Sequence, residues 1–208
     1  MSGEVADWPD RPWARRWPGG GPEYGAAYGR MIDQMRGFLD HLAAAQPDEE
    51  TLAQLGAELA YWSDRLKPLE VPEGERVFGR RVELPGRGQT MVPQFMVTGE
   101  DDQEVAGTVS FGDYFLGGNM AVHGGAIPLL FDEVLGRLAQ SGGRAPCRTA
   151  YLKTDFRSIT PIGPVLRVRA WFEREEGRKR FLRATLHHGE VLCAEADALF
   201  VELKPGQP

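Results

Sequence analysis

The chain has 208 residues, of which 42% are hydrophobic and 26% charged, and a formal net charge of −6. That size suits one ordinary domain with a small appendage and is enough to bury a real core, and the composition argues against wholesale disorder. The acidic balance argues against a nucleic-acid binder acting through a global basic field, but it leaves room for a local basic pocket holding an anionic ligand.

Residues 1–22 are rich in Trp, Pro, Gly and Arg without periodicity, and read as an arm that is mobile or pinned through Trp8, Trp13 and Trp17. They contain no apolar signal-peptide core, and their acidic residues fit a transit peptide poorly. No stretch nears the roughly 18 apolar residues that span a bilayer. The expectation is a cytoplasmic protein with no membrane partner.

From Glu23 the pattern becomes helical. Tyr24, Tyr28, Met31, Met35, Phe38 and Leu42 recur at three- and four-residue steps. "QPDEET" interrupts them and supplies a new helix start. Leu52, Leu55, Leu59, Trp62 and Leu66 then mark a second helix. Residues 23–67 are expected to form a helical hairpin that covers the main domain or a neighbouring subunit. Residues 68–89 carry the Pro/Gly punctuation of a linker, with room for one short strand.

A main domain over 90–203 follows. "MVPQFMVTG" and "EVAGTVSFGDYFLG" are strand candidates. Residues 124–140 are apolar nearly all round, which predicts a buried helix. "CRTAYLKTDFRSI", "PVLRVRAWFE", "KRFLRATLHH" and "EVLCAEADALFVEL" then read as long strands joined by turns. A long antiparallel sheet wrapped around one central helix, an α+β arrangement, satisfies this order. Cys147 and Cys193 have no metal-ligand spacing and read as reduced core residues. His187 and His188 fall at a turn and read as solvated.

The chemistry concentrates in "AVHGGAIPLLFDEVLG", residues 121–136. Gly124 and Gly125 lie where loop becomes helix, where free N–H groups and the helix dipole can hold a developing negative charge; close helix–strand packing explains two glycines equally well. Pro128 fits a first turn. Asp132 and Glu133 differ by roughly 100° around the helix axis and cannot share one site. A carboxylate in such a helix must meet water, a charge or a substrate. A pair with Arg137 at a subunit interface is one alternative for Asp132. His123 is a weaker acid/base candidate. No G-x-S-x-G elbow, P-loop or dinucleotide spacing is present.

"VHGGAIPLLFDEVLG" resembles the signature of hotdog-fold acyl-CoA thioesterases, most closely the PaaI-like branch and the mammalian thioesterase-superfamily members grouped with it. "TAYLKTDFRSITPIG" and "EEGRKRFLRATLHHGEVLCAEADALFVEL" continue the similarity, which covers roughly residues 90–203. The resemblance implies a hotdog dimer, often a tetramer, with sites at the subunit interface and an acyl-CoA as substrate. No metal or redox cofactor is implied. Asp132 would activate water or attack the thioester directly, and Gly124 N–H, beside Gly125, would polarise the carbonyl. Thr149 matches a Ser/Thr position that reaches the site from the other subunit. Asp155, Arg157 and the "GRK" hairpin, Gly177, Arg178 and Lys179, match positions that contact the CoA portion.

Two departures stand out. Asn119 lies closer to His123 than the Asn or Gln that precedes His-Gly-Gly in relatives, and Asp155 stands where some relatives carry Asn. Asp155 would be unhelpful beside phosphates unless it faces elsewhere or pairs with Arg157. Phe115, Leu116, Met120 and Phe131 either line an acyl tunnel or belong to the core. A non-catalytic acyl-CoA-binding module remains as a second reading, and a hydratase as a third.

Overall fold

The computed structural model describes residues 22–204 and Gly206, so the tryptophans of the N-terminal arm lie outside the described residues. Helices α1 (Pro22–Ala44) and α2 (Glu49–Leu66) form where the apolar spacing places them. Asp48 caps α2 by accepting from Thr51 N–H at 2.9 Å, and Glu49 and Glu50 complement the positive end of the dipole. α1 packs on the body: Ile32 is buried, Tyr28 Oη donates to Gly88 O at 3.1 Å, and Arg36 donates to Val92 O at 3.1 Å. Burial pushes the Arg36 guanidinium below its ordinary pKa and the Tyr28 phenol above its own. α2 has no buried residue, so among the described residues it contributes nothing to the core. The linker has no strand; short 3-10 turns at Lys67–Leu69, Glu73–Glu75 and Pro85–Gly88 take its place.

The main domain has strands β1 (Met96–Glu100) and β2 (Glu104–Val109), a small hairpin of β3 (Leu116–Gly118) and β4 (Ala121–Val122), then helix α3 (Ala126–Ala139). Strands β5 (Cys147–Phe156), β6 (Leu166–Glu176), β7 (Lys179–His188) and β8 (Val191–Glu202) complete it. Six of these form one antiparallel sheet in the order β1-β2-β6-β7-β8-β5. This is the hotdog arrangement, with the sheet curled round α3. The β3–β4 hairpin is an addition that the sequence pattern did not suggest.

Alternation along each strand explains the core. Val105 and Val109 of β2, Leu166 and Val168 of β6, Leu182 and Leu186 of β7, and Phe200 of β8 all point inward. They meet Leu130, Phe131, Val134, Leu135 and Leu138 of α3, none of which has measurable exposure. Across the middle of the sheet Ala170 pairs with Ala184 and Ala184 with Ala196, all buried. This row of small side chains lets α3 settle onto β6, β7 and β8 without overpacking. At the far end of the helix Arg180, only 4% exposed, donates to the C-terminal carbonyl of Ala139 and to Ala145 O, each at 2.8 Å, and reaches Glu202 at 3.2 Å. A cation at a helix C-terminus complements both the unsatisfied carbonyls and the dipole.

Both edge strands of the sheet, the short β1 and the long β5, pair on one side only. β5 pairs with β8, and six of its ten residues are exposed. Long, uncovered edges with free backbone donors and acceptors invite pairing with another chain. Among the described residues no helix is long and apolar enough to cross a membrane.

Candidate active site

Nine of the fourteen residues of α3 are buried, yet Asp132 is exposed. It faces β5, where Thr149 Oγ1 donates to Asp132 Oδ1 at 2.8 Å. Thr149 therefore meets the carboxylate of its own chain. A register shift between Thr149 and Tyr151 leaves Ala150 as an extra residue, the kind of bulge that re-aims side chains beside a site. Glu133 turns the other way and accepts from Arg87 Nε at 2.8 Å. Arg137 is bound to Glu100 at 2.7 and 3.0 Å. Within one chain Arg137 is thus held by Glu100 of β1 rather than by Asp132.

The glycines lie at the N-terminus of α3. Gly125 is the N-cap residue and offers no side chain to the first turn. Its N–H donates to His123 Nδ1 at 3.0 Å, which makes that nitrogen an acceptor and occupies the donor. Gly124 is exposed, and its N–H has no hydrogen-bond partner among the described residues. Of the two glycines, Gly124 is the one with a donor to offer. Phe156 closes one side of this pole: a side chain on Gly124 would begin 3.7 Å from its ring, which is 55% exposed. No spacing rule pointed to Phe156; its position at the end of β5 becomes meaningful only once the strand lies beside the helix start.

The loop leading to the glycines is fixed from three directions. His123 N–H donates to Phe115 O at 2.7 Å, and Gly117 passes so close that a Cβ there would meet His123 Cα at 2.7 Å. Val122 N–H donates to Thr160 O at 2.9 Å and Ile162 N–H to Met120 O at 3.0 Å. From α1, Asp40 Oδ1 accepts from Tyr114 N–H at 3.0 Å, with the carboxylate lying against Gly112, where no side chain would fit. Asn119 and Met120, at φ 50° and 57°, form the tight turn between β3 and β4. Asn tolerates that left-handed backbone, so its place here is accounted for by the turn itself. Leu116 and Met120 stand exposed on this hairpin, whereas Phe131 belongs to the core and Phe115 packs against it.

The expected CoA contacts fall into two groups. Asp155 pairs with Lys153 at 2.8 Å and with Arg157 at 3.7 Å, and Arg157 Nε donates to Glu195 at 2.7 Å. The Lys153 hydrogen bond holds the Asp155 carboxyl below its ordinary pKa, and the Glu195 hydrogen bond raises that of Arg157. Two cations and two carboxylates leave this cluster near neutral. Arg178 donates to Glu202 O at 2.8 Å, and Lys179 is exposed beside it. Lys179 and Arg148 both pair with Val201, so the basic hairpin lies about 10 Å across the sheet from the Thr149 end of β5. Asp155 sits six residues along β5 from Thr149, or roughly 20 Å away.

The same division runs through the catalytic candidates. Gly124 and Asp132 are eight residues apart along α3 and its entry, about 12 Å at the helical rise. Side chains tilt toward the helix N-terminus, which shortens the gap by only a few ångström. A carbonyl oxygen held by the Gly124 N–H therefore leaves its carbon out of direct reach of Asp132 of the same chain.

Residues 119–195 match the family model described as Thioesterase superfamily. Two curated relatives are acyl-coenzyme A thioesterase THEM4 from Mus musculus, 37% identical over 42% of this chain, and from Xenopus laevis, 35% identical over 45% of it. These alignments take in 38% and 43% of the relatives, so the chain spans less than half the length of the curated proteins it matches. A crystal structure of a thioesterase superfamily protein superposes with a TM-score of 0.73 at 25% identity, covering 90% of this chain and 94% of that one. That match extends across the N-terminal helices, because residues 90–204 make up little more than half of the chain. A Streptococcus mutans protein bound to acetyl CoA, 17% identical with a TM-score of 0.50 over 52% of this chain and 87% of that one, shares the fold.

Proposed function

The chain carries a hotdog domain of the thioesterase superfamily, and from that premise we propose that it hydrolyses an acyl-CoA thioester to a carboxylic acid and CoA in sites shared by two copies. The observation that carries the reading is the separation of two complementary half-sites. Asp132 with Thr149 lies halfway along α3, and the free Gly124 N–H with Phe156 lies at its N-terminus. Antiparallel pairing of the open β5 edge with its own copy about a two-fold axis sets the Thr149 end of one strand against the Phe156 end of the other. Asp132 of one copy then faces Gly124 of its partner.

In that composite site Thr149 occupies Asp132 Oδ1 and leaves Oδ2 for a water molecule. The carboxylate takes a proton as the water oxygen bonds to the thioester carbon. The carbonyl oxygen becomes an oxyanion at the Gly124 N–H, where the helix dipole adds partial positive charge. Collapse re-forms the carbonyl and breaks the carbon–sulfur bond, and the proton held by Asp132 passes to the departing thiolate. Direct attack by Asp132 would instead give an acyl–aspartyl anhydride that water must open. His123, locked to Gly125, orients the glycine turn in this scheme. Arg178 and Lys179 supply the charge for CoA phosphates; Arg157, engaged by Glu195 and Asp155, contributes less. Leu116, Met120 and Phe156 offer apolar surface to the acyl group.

The test is CoA release from short, long and aromatic acyl-CoAs by wild type and Asp132→Asn. A loss of about two orders of magnitude or more in kcat supports the reading. Tight binding of acyl-CoA without release by wild type would make the chain a binding module instead.

A further inference from the structure

The two N-terminal helices carry a pattern that hydrolysis leaves unused. In α2 the apolar residues Leu52, Leu55, Leu59, Trp62 and Leu66 advance by alternating steps of three and four. In α1, Tyr24, Tyr28, Met31, Met35, Phe38 and Leu42 do the same. The series in α2 has a mean period of 3.5 and that in α1 one of 3.6, and each covers a stripe only about 80° wide. A helix lying on a sheet or globular body needs a broader face; a narrow seam of this kind packs against another helix.

α1 shows the distinction on one element. Ile32, Arg36 and Asp40 lie to one side of its seam and contact the body, and of the seam residues Tyr28 joins them through its hydrogen bond to Gly88 O. Met31, Met35 and Leu42 of the seam itself remain exposed. α2 goes further, with Leu59, Trp62 and Leu66 at 54%, 58% and 60% exposure and no buried residue. Although only residues 45–48 separate the helices, α2 buries no seam residue among the described residues. An 18-residue helix with no buried residue is marginal in water.

We propose that the seams of α1 and α2 pack against those of a second copy of this chain, forming an intermolecular helical layer outside the hotdog body. Eight large apolar side chains of the two seams are exposed. At roughly 90 Å² each they offer on the order of 700 Å² per copy, close to the ~800 Å² per partner of a standard interface. The helices are also part of the fold shared with the full-length structural neighbour, which favours an occupant that is always present with the chain. A seam that is complementary to its own symmetry copy needs no foreign partner.

Sedimentation velocity over a dilution series of the full-length protein tests this, comparing wild type with the combined variant Leu59→Gln, Trp62→Gln, Leu66→Gln. These side chains are exposed in the single chain, so the variant keeps its body, which circular dichroism and thermal melting would verify. The expected result is a halved mass, or a self-association midpoint raised at least tenfold, while Ala57→Gln on the opposite face changes neither. Amide hydrogen exchange across 49–66 gives a second readout that needs no variant: protection in α2 should rise with protein concentration. A monomeric wild type, or an assembly indifferent to the triple variant, overturns the proposal. So does α2 protection that ignores dilution but disappears when residues 1–21 are deleted, which would make the chain's own N-terminal segment the occupant.

Discussion

Thr149 Oγ1 and Asp132 Oδ1 lie 2.8 Å apart across the junction of β5 and α3, which leaves one carboxylate oxygen committed and the other open. Removing the hydroxyl frees Asp132 to rotate and costs a hydrogen bond to a charged group, worth about 1.5 kcal/mol. Thr149→Val should therefore lower kcat for CoA release by about tenfold or more. Thr149→Ser, which keeps the donor, should recover most of it. Equal activity in the Val and Ser variants would show that the contact has no part in turnover.

Gly112 lies so close to the Asp40 carboxylate that a methyl group has no space, and the same carboxylate accepts from Tyr114 N–H. Gly112→Ala must turn the Asp40 side chain of α1 aside and break its hydrogen bond from Tyr114 N–H. We expect a destabilisation of about 1 kcal/mol, read from chemical denaturation. Activity should fall as well, because Phe115 O fixes His123 N–H in the next turn. A stability indistinguishable from wild type would mean that Asp40 yields at no cost.

Arg180→Met keeps much of the side-chain volume but abandons Ala139 O, Ala145 O and Glu202. Leaving buried carbonyls and a carboxylate without their cation should cost about 3 kcal/mol. A urea midpoint within error of wild type would remove Arg180 from the account of how α3 is anchored.

Cys147 and Cys193 are buried and unpaired, and burial raises the pKa of the Cys147 thiol, keeping it protonated at neutral pH. Neither should react with a thiol reagent in the native protein, and both should react once it is unfolded. Rapid native labelling of either one would show that the sheet opens there.

The apolar periodicities made the helices and the strand order legible, since they record burial along a single element. Long-range pairings were less visible. That Glu133 binds Arg87, in a left-handed turn 46 residues earlier, follows from the path of the linker rather than from any local pattern. Arg180 is a case where the signal existed: it shares the inward parity of Leu182, Ala184 and Leu186, yet the charge-rich hairpin around it suggests a solvated turn. Asp132 and the glycines could be identified by residue type, while the roughly 12 Å between Asp132 and Gly124 depends on knowing that Asp132 lies about two turns into a helix that begins just after the glycines. Phe156 drew no notice because an aromatic residue in a strand is ordinary until its neighbour is Gly124.

That distance also has a stoichiometric consequence. If each site draws Asp132 from one copy and Gly124 from the other, two inactive proteins can complement each other. A copy bearing Asp132→Asn still presents its Gly124, and a copy with a bulky residue at 124 still presents its Asp132. A mixed dimer of the two contains one site with both defects and one with neither. Random exchange of equal amounts makes half of the dimers mixed, so the blend should regain about a quarter of the wild-type turnover from two parents that have almost none. A site housed within a single chain would leave the blend as inactive as its parents.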